Sequence, residues 1–163
     1  MMIEPATAQD VAYVAERMRT ADADEFLALA HAPDRAALAE SLVARYGAHP
    51  ATIVARTDDG PIAIGAGVEA RPNVVTLLFF ATDKFPVVAL GLTRFITRNL
   101  FSRYREAGVH RIEAVSSESH RAAHRWIRAL GLQQEAVFPG YGRGGETFIQ
   151  FAWVADHARS PGP

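Results

Sequence analysis

The sequence predicts an α/β domain built on a mixed β-sheet. Three observations carry that expectation. Apolar residues recur at helical spacing near the start and again after residue 86, while β-rich runs fill residues 51–82 between them. Glycine or proline stands at most changes of period, so each run has a physical stop.

The elements follow in order. Residues 2–5 are short and extended. Thr7 is placed to cap a helix, with Asp10 three residues on completing a near capping box, and Val11, Val14, Ala15 and Met18 mark its apolar face. A second helix is expected over 24–30. A third opens at Asp34, carries Leu38, Leu42, Val43 and Tyr46, and stops at Gly47. Residues 51–56 and 62–70 read as antiparallel strands joined by the Asp58-Asp59-Gly60 turn. Residues 74–82 are apolar without alternation, the pattern of a strand buried on both faces. A long helix is expected over 86–107, stopped by Gly108. A strand over 111–115 and a helix over 119–130, ended by Gly131, come next. Strands over 134–138 and 147–154 flank the glycine-rich turn 140–145.

Composition bounds the function. The chain has 163 residues, with 49% hydrophobic, 21% charged and a formal net charge of −1. That length suits one domain, expected over 1–154 with a flexible tail over 155–163. No apolar run reaches the roughly 18–20 residues of a membrane span, and the acidic start lacks the apolar stretch of a signal peptide. A cytoplasmic location is therefore expected. The absence of cysteine excludes a disulfide framework and a thiol nucleophile. Residues 1–60 hold ten acids and five bases, whereas residues 94–128 hold eight arginines against Glu106, Glu113 and Glu118. The basic segment is either compositional bias or a wall for an anionic ligand. The balanced total does not argue for nucleic acid.

The element order, the segment RIEAVSSESHRAAHRWIRALGL and the closing Tyr141-Gly142 turn with its aromatic strand resemble the GNAT family of acetyl-CoA-dependent N-acyltransferases. The resemblance implies a mostly antiparallel sheet whose central strands splay apart, flanked by helices. It implies acetyl-CoA as co-substrate and an amine acceptor, small molecule or peptide. In that family pantetheine lies between the fourth and fifth strands. The pyrophosphate sits on a glycine-rich helix start, where unpaired N–H groups and the helix dipole favour an anion.

This chain departs from the family pattern at several positions. The phosphate loop falls at 84–89, where Lys84 and Ala89 suit the pattern but Val87 replaces the central glycine and Pro86 has no N–H. A plain helix start explains the loop as well. The expected cofactor contacts are Lys84, Val87, Val88 and Ala89, with backbone donors near Phe80, Ala81 and Thr82 polarising the thioester. Arg94, Arg121 and Arg125 are the candidate phosphate partners, alongside Arg98. The family's helix-four tyrosine position is Ile127, beside Trp126. His120 takes the position of its asparagine and either meets the cofactor or shares a solvated face with His124, Arg121, Arg125 and Arg128. The fourth strand has no carboxylate, so the candidate bases are Glu69 and Glu113, with Asp83 nearby. Alternation sets Glu113 on the face opposite Ile112 and Ala114.

Other chemistries lack support: there is no Walker loop, no GxSxG elbow and no HExxH. Two functions remain. One is direct acetyl transfer to an amine. The other is a catalytically silent structural or interaction protein, since the segment around 76–101 resembles divergent GNAT-like phage proteins, some of them internal to virions. A homodimer or a virion partner accompanies these readings.

Overall fold

A seven-stranded open sheet divides the protein, seen here in a computed structural model that describes residues 1–159. In chain order the strands are β1 (Met2–Pro5), β2 (Thr52–Thr57), β3 (Gly60–Arg71), β4 (Val74–Ala81), β5 (Arg111–Ser117), β6 (Gln133–Phe138) and β7 (Phe148–Val154). They lie side by side as β1-β2-β3-β4-β5-β7-β6, and only the β4–β5 pair is parallel. The helices are α1 (Ala8–Glu16), α2 (Thr20–Leu29), α3 (Arg35–Tyr46), α4 (Phe85–Phe95), α5 (Phe101–Glu106) and α6 (Arg121–Ala129).

Each helix buries a stripe against one sheet face. Val11 and Val14 of α1 pack with Leu38 and Leu42 of α3 on Val54, Ile64 and Phe80. On the opposite face Val88 and Leu92 of α4 and Ile127 of α6 pack with Ala63, Ile112 and Phe151. Apart from Thr76, strand β4 is apolar because both of its faces are covered, Phe80 towards α1 and α3, Ala81 towards α4. Thr7 caps α1 with the full reciprocal box to Asp10, whose carboxylate also pairs with Arg56 across the sheet. Gly108 and Gly131 stop their helices at φ of 92° and 96°, in the left-handed region that glycine enters freely.

Three boundaries depart from the sequence reading. Helix α2 begins at Thr20 rather than near residue 24, with Arg19 at its N-cap and no side-chain cap to announce it. The expected single helix over 86–107 is interrupted by a π turn, Ile96–Leu100. There Thr93 and Thr97 donate hydroxyl hydrogen bonds back to the carbonyls of Ala89 and Thr93, competing with the regular ladder. Residues 156–158 of the expected tail form a 3-10 turn, and residues 160–163 lie outside the described part of the chain. The glycine-rich turn does join an antiparallel hairpin, β6 to β7. Arg143 in it donates to the carbonyls of Ala28 in the last turn of α2 and of Ala32 just beyond that helix, tying the hairpin to it.

The parallel pair is short. Strands β4 and β5 are in register only at Val74–Arg111, Val75–Ile112 and Thr76–Glu113, then separate. Residues 77–81 and 114–117 therefore face one another across a gap. The closed end is clamped by Glu113, which accepts from Arg71 (3.1 Å), Arg111 (2.5 Å), Thr76 (3.2 Å) and Gln150 (3.2 Å). Arg111 continues the clamp with a bidentate bond to Glu135.

Phe80 is fully buried and meets Phe26 edge-on at 5.7 Å. Phe80→Ala is expected to destabilise the fold by about 3–5 kcal/mol. Urea denaturation should show this as a lower midpoint with an unchanged slope.

Candidate active site

The open part of the gap leads into a cavity of about 590 Å³ that reaches both faces of the sheet. Towards α2 and α3 its wall includes Glu25, Phe26, Leu29, Arg45, Tyr46 and His49. Towards α4 and α6 it includes Phe79, Phe85, Ala122, Ala123 and Trp126. The cavity is thus a passage between two mouths, and its narrow middle is the splay itself.

Helix α2 spans that middle with two carboxylates one turn apart. Asp22 reaches β4, where Oδ2 accepts the Ala81 N–H at 2.9 Å. It also accepts from Arg19 through Nε and Nη2 (3.0 and 2.9 Å) and is 2.8 Å from His120 Nε2. Since Asp22 offers only acceptors, the His120 proton of that bond sits on Nε2. Glu25 reaches β5 instead. Its Oε2 accepts from the Ser116 hydroxyl (2.9 Å) and the Ser117 N–H (3.0 Å). Its Oε1 has no hydrogen-bond partner among the described residues and lies on the cavity wall. Burial pushes the Glu25 carboxyl up from its ordinary 4.5, against the opposing pull of Ser117, His120 and Ser116.

The β4 edge retains unpaired backbone. Ala81 directs both its N–H and its C=O into the gap, to Asp22 and to the Arg19 N–H respectively. Along an antiparallel strand these directions alternate, so Phe79, two residues earlier and paired with Gly65 on β3, also directs its N–H and C=O into the gap. Across from it, the N–H groups of Ala122 and Ala123 in the first turn of α6 have no partner among the described residues.

The residues nominated from sequence fall in several places. His120 is in the passage and only 7% exposed; His124 is equally buried, its Nε2 2.8 Å from the Ser117 carbonyl. The alternative of a solvated histidine face is thereby overturned, because α6 turns both rings inward. Burial depresses the His124 imidazole below its ordinary 6.5. Glu69 does not reach the passage: its carboxylate accepts the Asn73 N–H at 2.7 Å beside the β3–β4 turn. Glu113 is held in the closed-end clamp. Burial alone would raise its carboxyl, but Arg111 and Arg71 outweigh that and hold it below the usual carboxylate range.

The expected donors at 80–82 are engaged elsewhere. Ala81 donates to Asp22, Thr82 donates to Ile62, and Phe80 is turned towards β3. Phe79 is the backbone donor left in the gap. The 84–89 loop is a lean anion cradle as well: Lys84 and Phe85 donate to Thr82, Val87 donates to Lys84, and Pro86 has nothing to donate. Lys84 faces Asp59 at 4.0 Å, in a smaller cleft outside the passage. Val88 is buried in the core under α4, Val87 is 70% exposed, and Ala89 is half-buried. Arg94, Arg121 and Arg125 are exposed on neighbouring helices with no carboxylate partner among the described residues. Trp126 closes the wall between those helices. It donates to Thr93 Oγ1 at 2.8 Å, and its ring lies tilted against Phe79 with centroids 4.3 Å apart.

Asp22 is the point at which this arrangement is most vulnerable. Asp22→Ala would strand the half-buried Arg19 and the buried His120 and leave the Ala81 N–H unpaired, a loss of about 3–5 kcal/mol. Asp22→Asn keeps an acceptor for Ala81 and should lose distinctly less. Chemical denaturation of the two variants side by side checks the order.

No protein-family model matches the chain, and no curated protein matches it by sequence. Solved structures do match in shape. A ribosomal-protein-alanine N-acetyltransferase from Brucella melitensis superposes with a TM-score of 0.68 at 16% identity, over 94% of this chain and 99% of that one. A putative acetyltransferase from Salmonella typhimurium, solved with acetyl-CoA, gives 0.69 at 17% identity over 99% and 98%. A GNAT superfamily phosphinothricin acetyltransferase from Sinorhizobium meliloti, in complex with acetyl-CoA, gives 0.68 at 17% over 99% and 92%. The splayed β4–β5 pair, the helices on both faces and these superpositions together establish that the chain has the GNAT acetyltransferase fold.

Proposed function

We propose that the protein is an N-acetyltransferase that moves an acetyl group from acetyl-CoA directly to an amine. One observation carries the reading: a passage through the sheet with unpaired strand backbone at its middle and a half-buried carboxylate, one oxygen unpartnered, beside it. The acetyl-CoA complexes of proteins with this fold support it.

An extended chain of amides, such as pantetheine, suits the open β4 edge as an added strand would, its own N–H donating to the unpaired Phe79 C=O and leaving the Phe79 N–H for the thioester. Ala122 and Ala123 leave room for it on the α6 side. The fit is poorer at the phosphate end, where the Phe85 and Val87 N–H groups are engaged and Pro86 has none. Arg121 and Arg125, with Arg94 across from them, would carry that charge as side chains rather than backbone. Acetyl-CoA supplies an activated acyl group on a sulfur leaving group.

Glu25 is the proposed base. Oε2 is anchored to β5, which fixes the carboxylate, and Oε1 is free to take a proton from the acceptor ammonium. His120, oriented by Asp22, favours the charged form of Glu25 from behind. The amine nitrogen then attacks the acetyl carbon, the C–N bond forms and the C–S bond breaks. One ammonium proton ends on Glu25 and the other reaches the departing sulfur through water. The Phe79 N–H is the donor aimed where negative charge gathers on the carbonyl oxygen.

Substitution of Glu25 separates catalysis from folding. Glu25→Gln should lower turnover by about 10²–10⁴-fold while acetyl-CoA affinity, measured calorimetrically, stays within twofold. The wild-type rate should fall on acidification through a pKa above the ordinary carboxylate value, and the variant should lose that limb. Stability should move the other way. A carboxyl whose folded pKa is raised contributes stability below its unfolded value and loses it as pH rises through the folded one. Glu25→Gln should therefore gain on the wild type as pH rises from 4.5 towards neutrality. Normal turnover in the variant would remove Glu25 as base, and failure to bind acetyl-CoA at millimolar concentration would favour the silent interaction protein.

A further inference from the structure

We infer that the acceptor is an amine carrying a carboxylate, or a similar anion, at the far end of an apolar or aromatic body. This rests on the acetyl-transfer reading for the identity of the reacting amine, but the binding site stands on its own observations. The mouth between α2 and α3 has opposite electrostatic ends. At its inner end Glu25 presents the unpartnered Oε1, an acceptor suited to an ammonium. Asp22, the other inner carboxylate, is already matched by Arg19 and His120.

At the outer lip the charge reverses. Arg45 lines the cavity, lies over the Tyr46 ring at 5.8 Å from its centroid, and has no carboxylate partner among the described residues. His49, on the same wall, accepts the Ala51 N–H at Nδ1 (3.1 Å). Its neutral ring must then carry its proton on Nε2, which makes it a second donor. Between the two ends the wall is apolar, with Phe26 and Leu29 from α2 and Val68 from β3. A molecule with an ammonium at one end, an anion at the other and an apolar middle satisfies every part of this mouth. A simple aliphatic monoamine leaves Arg45 and His49 without a partner, and a diamine sets a cation against Arg45.

Two matched probes test the inference: 4-(2-aminoethyl)benzoate and its neutral counterpart 4-(2-aminoethyl)benzamide. Calorimetric binding without acetyl-CoA should favour the benzoate by about tenfold or more. In Arg45→Ala the preference should shrink to within about threefold, with the benzamide affinity little changed. Equal binding of the two probes by the wild type would overturn the inference, as would a preference that survives in Arg45→Ala. Acetylation with acetyl-CoA is measured in parallel. A benzoate preference in binding with no acetylation would fail the transferase reading and leave the anion site standing. Efficient acetylation with no preference would fail the anion site alone.

Discussion

The structure depends on how the separated edges of β4 and β5 are satisfied. A parallel pair that parts after three residues exposes N–H and C=O groups which the ladder would otherwise occupy. Buried backbone groups are not left unpaired without a substantial loss of stability. Helix α2 resolves this with two acidic side chains on one face. Asp22 takes the Ala81 N–H on one strand, and Glu25 takes the Ser117 N–H on the other. The wedge is polar and therefore needs donors, which Arg19 and His120 bring to Asp22. What the wedge leaves open, at Phe79, is the part of the edge available to a ligand.

The opposite end of the same strand pair is held by the same class of interaction with the opposite result. Glu113 is saturated by two arginines, a threonine and a glutamine, and has no capacity left for chemistry. Glu25 is held at one oxygen only and sits where burial disfavours its charge. The two carboxylates differ in how many donors reach each, and that difference leaves one holding the sheet together and the other with an oxygen free. Aromatic packing then shapes the passage: Phe79, Phe85 and Trp126 line it towards α4 and α6, while Arg19 lies over the Phe85 ring.

Local chemistry made most of the fold legible in the sequence. The Thr7–Asp10 capping box, the glycine stops and the unalternating apolar run of β4 each have a cause within a few residues of their effect. The site was legible only in part. His120 could be picked out by its position before α6, but its burial depends on a partner 98 residues away. Asp22 falls before the helix expected over 24–30 and Glu25 in its first turn, within an alanine-rich stretch that carries no motif, and Arg19 at the N-cap gives no local signal for where the helix starts. Their roles come from strands nearly sixty and more than ninety residues further on. Glu113 illustrates the converse. A strand carboxylate on the face opposite the apolar positions resembles a candidate base until Arg71, Thr76 and Gln150 arrive from three other segments.

If the wedge leaves the Phe79 edge of β4 open for the extended arm of an acyl donor, residue-resolved amide hydrogen exchange will show it. The Phe79 amide should exchange much faster than that of Phe80, which is turned towards β3, and acetyl-CoA should slow the Phe79 amide selectively. A Phe79 amide as protected as its neighbour without ligand, or unaltered at saturating acetyl-CoA, would mean that the edge is not the binding site.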